Sequence, residues 1–355
     1  MKVFILGAGF SKQVGLPLAT ELVELLTAKF RQIDDQEAVA WFDSLERRIR
    51  RVNQDRPVGI EEVFHYAQFE IEIWKMKQQL CQVGRRNGST PWNTSEGIEA
   101  ILSNMEYNPV EVICEKQKKA EGLSEKIDRF TKQLMHEDTV ITFNYDTLVE
   151  DSIAGMEKLW NHGLENERGG TTILKMQESI DWMVCKQGET DGCANLTLLF
   201  RKEDKNRSTR SSDDESGQIE DDYKLARINR ERLEKWIEDR DLQNGPWIST
   251  GISGLGSYKQ LHKLPGSAKV WAEAAKSLHK CDAVFIIGFS FSLFDAMVRL
   301  VFADVMDGRK QLPQVYVINP CIDDEYESAV KAMFGEKVRW IREGAEAIEW
   351  CKYLE

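Results

Sequence analysis

The chain alternates helical and strand patterns over residues 268–318, and this alternation is the feature that most constrains its fold. Residues 268–280 and 293–306 have helical periodicity, whereas the short segments 283–287 and 314–318 are dominated by apolar residues. Strands that are apolar on both faces are typical of a parallel sheet covered by helices. The sequence therefore predicts an α/β fold, a Rossmann-like parallel sheet flanked by helices. Ligands of such sheets bind at the carboxyl ends of the strands.

Other parts of the chain supply further strand candidates. Residues 2–6 are an apolar run that stops at glycines, and helical periodicity follows at residues 18–30. Residues 139–143, 171–175 and 196–200 are short segments rich in β-branched or apolar residues. We expect a strand at each of these segments.

Between the first strand and the rest of the sheet, nearly everything has helical periodicity. A break at residues 84–91 predicts a loop between two helical bundles. Residues 202–222 are almost purely polar and predict a mobile loop, with a regulatory or partner-binding segment as the alternative. The predicted domains are a sheet domain formed by residues 1–30 and 138–355, and a helical insertion at residues 31–137.

Composition excludes several classes of function. The chain has 59 acidic against 47 basic residues, a formal charge of −12, which disfavours broad nucleic-acid binding. Its longest apolar run is far shorter than the ~20 residues that span a bilayer, and its N-terminus does not resemble a signal peptide. Seven scattered cysteines without a C-x-x-C pair predict a reduced, cytoplasmic protein with no structural zinc and no other metal.

The first strand ends in a glycine-rich turn, GAGFS, that contains Gly7, Ala8, Gly9 and Ser11. Glycines allow a backbone to approach a pyrophosphate closely, and a helix that starts after the turn offers amide hydrogens to phosphates. The third glycine of the usual dinucleotide fingerprint is missing. A tight strand-to-helix turn without a ligand is therefore the alternative interpretation.

Three more turns after strands carry small or polar side chains, which packing alone does not explain. They follow residues 139–143, 283–287 and 314–318. Because the carboxyl ends of parallel strands meet at one edge of a sheet, we expect the side chains to share a crevice. The candidates are Asn144, Asp146, Gly288, Ser290, Asp295 and Asn319.

Six motifs occur in a set order over nearly the whole chain: GAGFS followed by GLP, residues 60–64 (IEEVF), 143–146 (FNYD), 175–182 (KMQESIDW), 286–290 (IIGFS) with Asp295, and 317–320 (VINP). In order and spacing they resemble the sirtuin-like domain of bacterial antiphage defence systems. The resemblance implies a domain that binds NAD and hydrolyses it to nicotinamide and ADP-ribose. It also implies a large assembly, either a homo-oligomer or a complex with a hexameric DNA-translocase ATPase or an Argonaute-like protein.

The resemblance also implies roles for individual residues. The attacking water or the nicotinamide ribose would be held by Asn144, with Asp146 in support. The phosphate turn would be Gly7, Ala8, Gly9 and Ser11, and the adenine-side ribose and phosphates would contact Ser290 and Asn319, in a loop that includes Gly288 and is fixed by Asp295.

One segment departs from the family pattern. Gln177 stands where the family has its catalytic histidine, and Glu178 stands where it has a glycine. A glutamine amide can hydrogen-bond a ribose hydroxyl but cannot accept a proton near neutral pH, so general-base help of ~10²–10⁴ in rate is missing. Glu178 could stabilise charge on the ribose, or His162 could enter the site. A solvated loop charge and an ordinary loop histidine are the alternatives.

The predicted function is therefore an NAD hydrolase that acts as the effector of antiphage defence. The alternative is a catalytically weak or inactive NAD- or ADP-ribose-binding subunit that scaffolds or regulates a partner ATPase. Gln177 is the residue that separates these two hypotheses, and a scaffold that mainly docks a partner is a third.

Overall fold

The computed structural model describes residues 1–32, 36–52, 58–80, 108–120, 125–164, 169–177, 179–186, 197–201, 223–228, 230–238, 247–249, 266–291 and 295–345. The loops expected at residues 84–91 and 202–222, together with Glu178, lie outside the described residues.

The strands of the described part are β1 (Lys2–Leu6), β2 (Thr139–Thr142), β3 (Trp160–Asn161), β4 (Thr171–Lys175), β5 (Trp182–Lys186), β6 (Thr197–Arg201), β7 (Tyr223–Arg227), β8 (Trp247–Ser249), β9 (Ala283–Ile287), β10 (Gln314–Ile318) and β11 (Val338–Ile341). The helices are α1 (Ala8–Lys12), α2 (Ala19–Gln32), α3 (Gln36–Val52), α4 (Ile60–Leu80), α5 (residues 108–119), α6 (Glu125–Thr131), α7 (Leu148–Gly155), α8 (Arg230–Glu238), α9 (Ser267–Lys280), α10 (Ala296–Asp307) and α11 (Asp324–Phe334).

Seven parallel strands form the main sheet, in the order β11-β10-β9-β1-β2-β4-β3. The chain first builds outward from β1 to β2 and β4, and later returns to place β9 on the other side of β1. The strand order therefore reverses beside β1, which is where ligands of open parallel sheets bind.

Helices cover both faces of this sheet because alternate side chains of its strands point to opposite faces. On β1, Phe4 and Leu6 belong to a core shared with α2–α7, whereas Val3 and Ile5 belong to a core shared with α9–α11. All four side chains are fully buried. The predicted α/β fold, a Rossmann-like parallel sheet flanked by helices, is confirmed.

A second sheet of four antiparallel strands, ordered β6-β7-β5-β8, was not predicted. Of its strands only β6 corresponds to a strand expected from the sequence, at residues 196–200. Ile228 N, just after β7, donates a 2.9 Å hydrogen bond to Asp181 O, just before β5, and so extends the pairing of these two strands. The second sheet contacts the main sheet where the Arg227 guanidinium lies over the Trp160 ring of β3.

The segment from residue 31 to 137, expected to be helical, contains α3–α6 in its described part. These helices share one apolar core with β1 and β2. The division into a sheet domain and an inserted domain stays a prediction. None of the helices in the described part has the length and apolar character that crossing a membrane would need.

Candidate functional site

A cleft of about 760 Å³ opens at the carboxyl ends of β1, β2, β9 and β10. Its size falls within the range of roughly 300–1,000 Å³ that is typical of sites for small molecules and cofactors. It also lies where the strand order reverses, as expected for a ligand site in such a sheet.

The structure brings most of the predicted site residues into this cleft. Gly7 lies just behind the lining, and Glu178 is outside the described residues. The predicted residues that line the cleft are Ala8, Gly9, Ser11, Asn144, Asp146, Gln177, Gly288, Ser290, Asp295 and Asn319. Their roles in binding or catalysis stay predictions.

The glycine motif forms the N-cap and first turn of the short helix α1, and it packs directly on the turn after β9. Gly7 N donates to Ile287 O at 3.0 Å, and Gly9 N donates to Gly288 O at 2.9 Å. A Cβ atom on Gly7 would lie only 2.5 Å from Phe289 Cα. These glycines are thus required for two backbones to meet, and two of the amide hydrogens expected to face phosphates are used inside the protein.

Asn144, which directly follows Phe143 at the end of β2, is held by the glycine motif. Its Nδ2 donates to Gly7 O at 3.0 Å and to Ser11 Oγ at 2.9 Å. Ser11 Oγ in turn donates to Asp146 Oδ2 at 2.7 Å. Because both amide hydrogens of Asn144 are used, its oxygen Oδ1 is the group left to meet a ligand, as an acceptor for a water or hydroxyl hydrogen.

A buried charge cluster lies beneath this turn. Burial raises the pKa of Asp146, and the nearby Lys175 ammonium and the Ser11 hydrogen bond act against that rise. Lys175 Nζ donates to the carbonyl oxygen of Asp146 and pairs with Glu150 at 3.2 Å. The Lys175 and Glu150 side chains are 0% and 2% exposed. A buried cation therefore holds the backbone of the turn from below.

Tyr326 of α11 contacts two other turns of the cleft, and no sequence pattern indicated this contact. Its hydroxyl donates to Phe289 O at 2.8 Å, and the neighbouring Asn319 side chain acts to lower the pKa of that hydroxyl. Burial raises the pKa of Tyr326. Asn319 Oδ1 also accepts from Cys321 N at 3.0 Å. The turns after β9 and β10 are thereby fixed to each other.

The charges that line the cleft are mostly acidic. Lys12 and Arg299 are its basic residues within the described part of the chain. Lys12 pairs with Glu21 at 2.5 Å, and Arg299 Nε donates to Phe291 O at 3.0 Å. The acidic lining residues are Glu61, Glu62, Asp146, Asp295, Asp323 and Glu325. An anionic ligand would therefore be favoured near Lys12 and Arg299.

Gln177 lies in the cleft, two residues after β4, and is 5% exposed. No histidine is among the described residues that line the cleft. His162 is 1% exposed and packs edge-to-face against Trp160 and Trp182, with ring centroids 4.9 and 5.4 Å away. The structure therefore places His162 in the packed interior rather than in the cleft.

Metal ligands do not gather in the part of the chain that the structure describes. No group of three or more His, Cys, Asp and Glu side chains there could hold a metal ion. Cys281 and Cys321 are free thiols.

No protein-family model matches the chain, and the comparison with curated proteins finds no match. Among solved structures, it is similar to a Sir2 protein in complex with the inhibitor EX-527, 2′-O-acetyl-ADP-ribose and a deacetylated p53 peptide. The identity is 9% over 98% of this chain and 89% of that chain, with a TM-score of 0.37. A second similar structure, from work on the structural basis of sirtuin substrate affinity, has 13% identity over 100% and 92% of the two chains and a TM-score of 0.39. At these values neither likeness defines a family or an activity, and the fold described above rests on the strand order and registers.

Proposed function

We propose that this chain is an NAD hydrolase that releases nicotinamide and ADP-ribose, and that it acts as the effector of an antiphage defence system in the cytoplasm. The observation that carries the proposal is that Asn144 and Gln177 share one cleft with the turns of β1, β9 and β10. The motif order that resembles the sirtuin-like defence domain adds the substrate and the biological setting.

The residues of the cleft suit both the reacting ribose and the pyrophosphate of NAD. Breaking the bond between nicotinamide and ribose C1′ leaves an oxocarbenium-like sugar, which water attacks while releasing a proton. Asn144 Oδ1 would accept a hydrogen bond from that water or from a ribose hydroxyl. Gln177 would hold a second hydroxyl. Lys12 and Arg299, the basic residues of the described lining, would attract the pyrophosphate.

The alternative function is a nucleotide-binding subunit with little or no turnover, which scaffolds or regulates a partner ATPase. Gln177 and the lack of histidine among the described lining residues favour it. In such a subunit Asn144 and Gln177 would bind NAD or ADP-ribose without a side chain that takes up the proton of the attacking water.

The proposal includes an assembly, either a homo-oligomer or a complex with a hexameric DNA-translocase ATPase or an Argonaute-like protein. It also includes the division into a sheet domain (1–30 and 138–355) and a helical insertion (31–137). Size-exclusion chromatography after co-expression with neighbouring genes tests the assembly. A monomer that elutes alone would contradict it.

The decisive experiment measures nicotinamide release from NAD by the purified protein, alone and with the candidate partner. We expect Asn144→Ala to lower turnover about a hundredfold, because it removes a fixed polar group from the reacting ribose. Gln314→Ala is the matched control, since this amide is exposed at the amino end of β10, and turnover should stay within about twofold. If the wild type binds NAD but releases no nicotinamide with the partner present, the alternative function holds.

Gln177→His tests whether a missing proton acceptor limits the rate. An imidazole in this place should raise turnover, with an acidic limb near the ordinary histidine pKa of about 6.5. Gln177→Ala should lower turnover if the amide holds a ribose hydroxyl. If the histidine variant gains nothing over the wild type, position 177 is not where the proton leaves.

A further inference from the structure

A residue of α5 also binds the turn that carries Asn144. Residues 143–147, the Asn144 turn, connect β2 to α7 and end at Thr147. Thr147 N donates to Gln117 Oε1 at 3.1 Å, and Gln117 Nε2 donates to Thr147 Oγ1 at 2.6 Å. One side-chain amide therefore binds the backbone and the side chain of the same residue.

Asp151 of α7 completes this arrangement. Its Oδ2 accepts hydrogen bonds from Gln117 Nε2 at 2.9 Å and from Thr147 Oγ1 at 2.8 Å. Gln117 is 4% exposed and Thr147 6% exposed. Because both amide hydrogens and the amide oxygen of Gln117 are used, the orientation of this side chain is fully specified.

Gln117 and Ser11 bind different residues of the same short turn. Ser11 and Gly7 bind the Asn144 side chain, whereas Gln117 binds Thr147, three residues later. We therefore expect the position of Asn144 Oδ1 to depend on both sets of hydrogen bonds. Losses of about a hundredfold in rate follow from displacements near 1 Å at a reacting centre.

We propose that Gln117 is a positioning residue, whose amide clamps the Asn144 turn to α5 and thereby sets where Asn144 meets the ribose. The proposal rests on the proposed function, in which Asn144 holds the attacking water or the nicotinamide ribose. Gln117 does not line the cleft, so it would act on the site through the Asn144 turn and not by touching the substrate.

An amide-carboxylate exchange tests the clamp. Gln117→Glu keeps the acceptor for Thr147 N but puts a carboxylate within 2.9 Å of Asp151, so the two oxygens repel. Adding Asp151→Asn restores an amide donor across the same contact with no change in net charge, and the Thr147 hydroxyl can rotate to the new acceptor. Lys119→Ala, an exposed substitution on the same helix, is the control.

We expect Gln117→Glu to lower kcat for nicotinamide release about ten- to a hundredfold with KM within about threefold, because NAD binding relies mainly on other turns. The double variant should recover kcat to within about threefold of wild type, and Lys119→Ala should match wild type. A purely structural role would instead lower the folded fraction with kcat per folded molecule unchanged. Gln117→Met, neutral and of similar length, is measured if Gln117→Glu does not fold, with the same expected loss of kcat.

The clamp is overturned if Gln117→Glu or Gln117→Met keeps wild-type kcat, or if the double variant is no better than Gln117→Glu. Failure of the proposed function is a different result, namely no hydrolysis by the wild type. In that event the readout is the Kd of ADP-ribose, whose C1 hydroxyl, absent from NAD, would donate to Asn144. Gln117→Glu should weaken that Kd about tenfold and the double variant should restore it, whereas an unchanged Kd overturns the clamp.

Discussion

Ser11 connects the glycine motif to the Asn144 turn through a single hydroxyl group. It is 1% exposed, accepts from Asn144 Nδ2 and donates to Asp146 Oδ2. Ser11→Ala leaves a buried donor and a buried carboxylate without this partner. We expect the free energy of unfolding to fall by about 2–3 kcal/mol, measured by urea denaturation. Nicotinamide release should fall with it, because Asn144 loses one of its two anchors.

The pH dependence of this loss follows from Asp146. Burial already raises the pKa of Asp146, and losing the Ser11 hydrogen bond raises it further. A carboxyl whose pKa is raised on folding contributes stability at low pH that is lost as the pH rises through its folded pKa. The deficit of Ser11→Ala should therefore be larger near pH 8 than near pH 5. Ser277→Ala, which removes only a 3.3 Å neutral contact with Thr139, should show a smaller deficit that does not change with pH.

Among the elements, α1 and the turn after β9 approach each other closely through their backbones. Gly288 has φ of +58°, and a Cβ atom there would lie 2.4 Å from Phe10 N. Gly288→Ala should lower the free energy of unfolding by about 2–4 kcal/mol, from left-handed strain plus overpacking, as measured in urea. Gly308→Ala is the control because its φ is −74° and the nearest atom is 3.6 Å away.

Gly308→Ala should raise the free energy of unfolding, by less than about 1 kcal/mol, because alanine restricts the unfolded chain more than glycine does. Equal losses in the two variants would mean that the approach of the two turns is not what requires glycine at Gly288.

The same elements show what the sequence can and cannot predict. The bounds of β1, β4, β9 and β10 match the expected segments, since a continuous apolar run is what a doubly covered strand needs. The strands β7 and β8 were missed because short antiparallel strands such as YKLAR and WIS have no such run. The strand β5 (WMVCK) does have one, but it begins at the last residue of the motif at residues 175–182 and was not recognised as a strand. Their pairing is set by partners distant in the chain.

The site was predictable to the same extent. Polar side chains that follow buried strands were found from position alone, as with Asn144 and Asn319. Tyr326 and Gln117 were not, because each reaches a turn from a helix that is remote in sequence, and no local pattern indicates such a contact. The contacts of Gly7 and Gly9 with the turn after β9 were not expected either, and the phosphate-binding role of the motif stays a prediction.

On the scale of the whole molecule, Arg227 of β7 attaches the second sheet to the main one. Its Nε donates to Asp181, and its guanidinium carbon lies 4.9 Å from the centroid of the Trp160 ring on β3. It also lies 3.7 Å from Asp151 of α7. Burial alone would raise the pKa of Asp181, but the charge and the hydrogen bond of Arg227 hold that pKa below its usual value. Arg227 therefore combines an ion pair with a buried partner at the start of β5, inside its own sheet, with contacts to β3 and α7 of the main sheet.

Replacing Arg227 by an uncharged residue tests how much stability its ion pair with Asp181 contributes. Arg227→Met leaves the Asp181 carboxylate, 5% exposed, without its main counter-charge, and we expect a loss of about 3 kcal/mol near neutral pH. A carboxyl with a lowered folded pKa stabilises the protein above its unfolded pKa, and this contribution is lost as the pH falls, while in the variant Asp181 can take up a proton. The difference in the free energy of unfolding between wild type and Arg227→Met should thus become smaller as the pH falls toward about 4.

Arg339→Met supplies the matched comparison for this measurement. Arg339 also lies on a strand and faces an aromatic ring, Tyr316, at 6.0 Å, but it is exposed. Its replacement should change the free energy of unfolding by less than about 0.5 kcal/mol at any pH. If Arg227→Met behaves like Arg339→Met, or if its deficit in the free energy of unfolding persists unchanged in acid, Arg227 stabilises the protein by packing. If the deficit narrows as described, the stability that Arg227 contributes depends on its ionised pair with Asp181 at the start of β5.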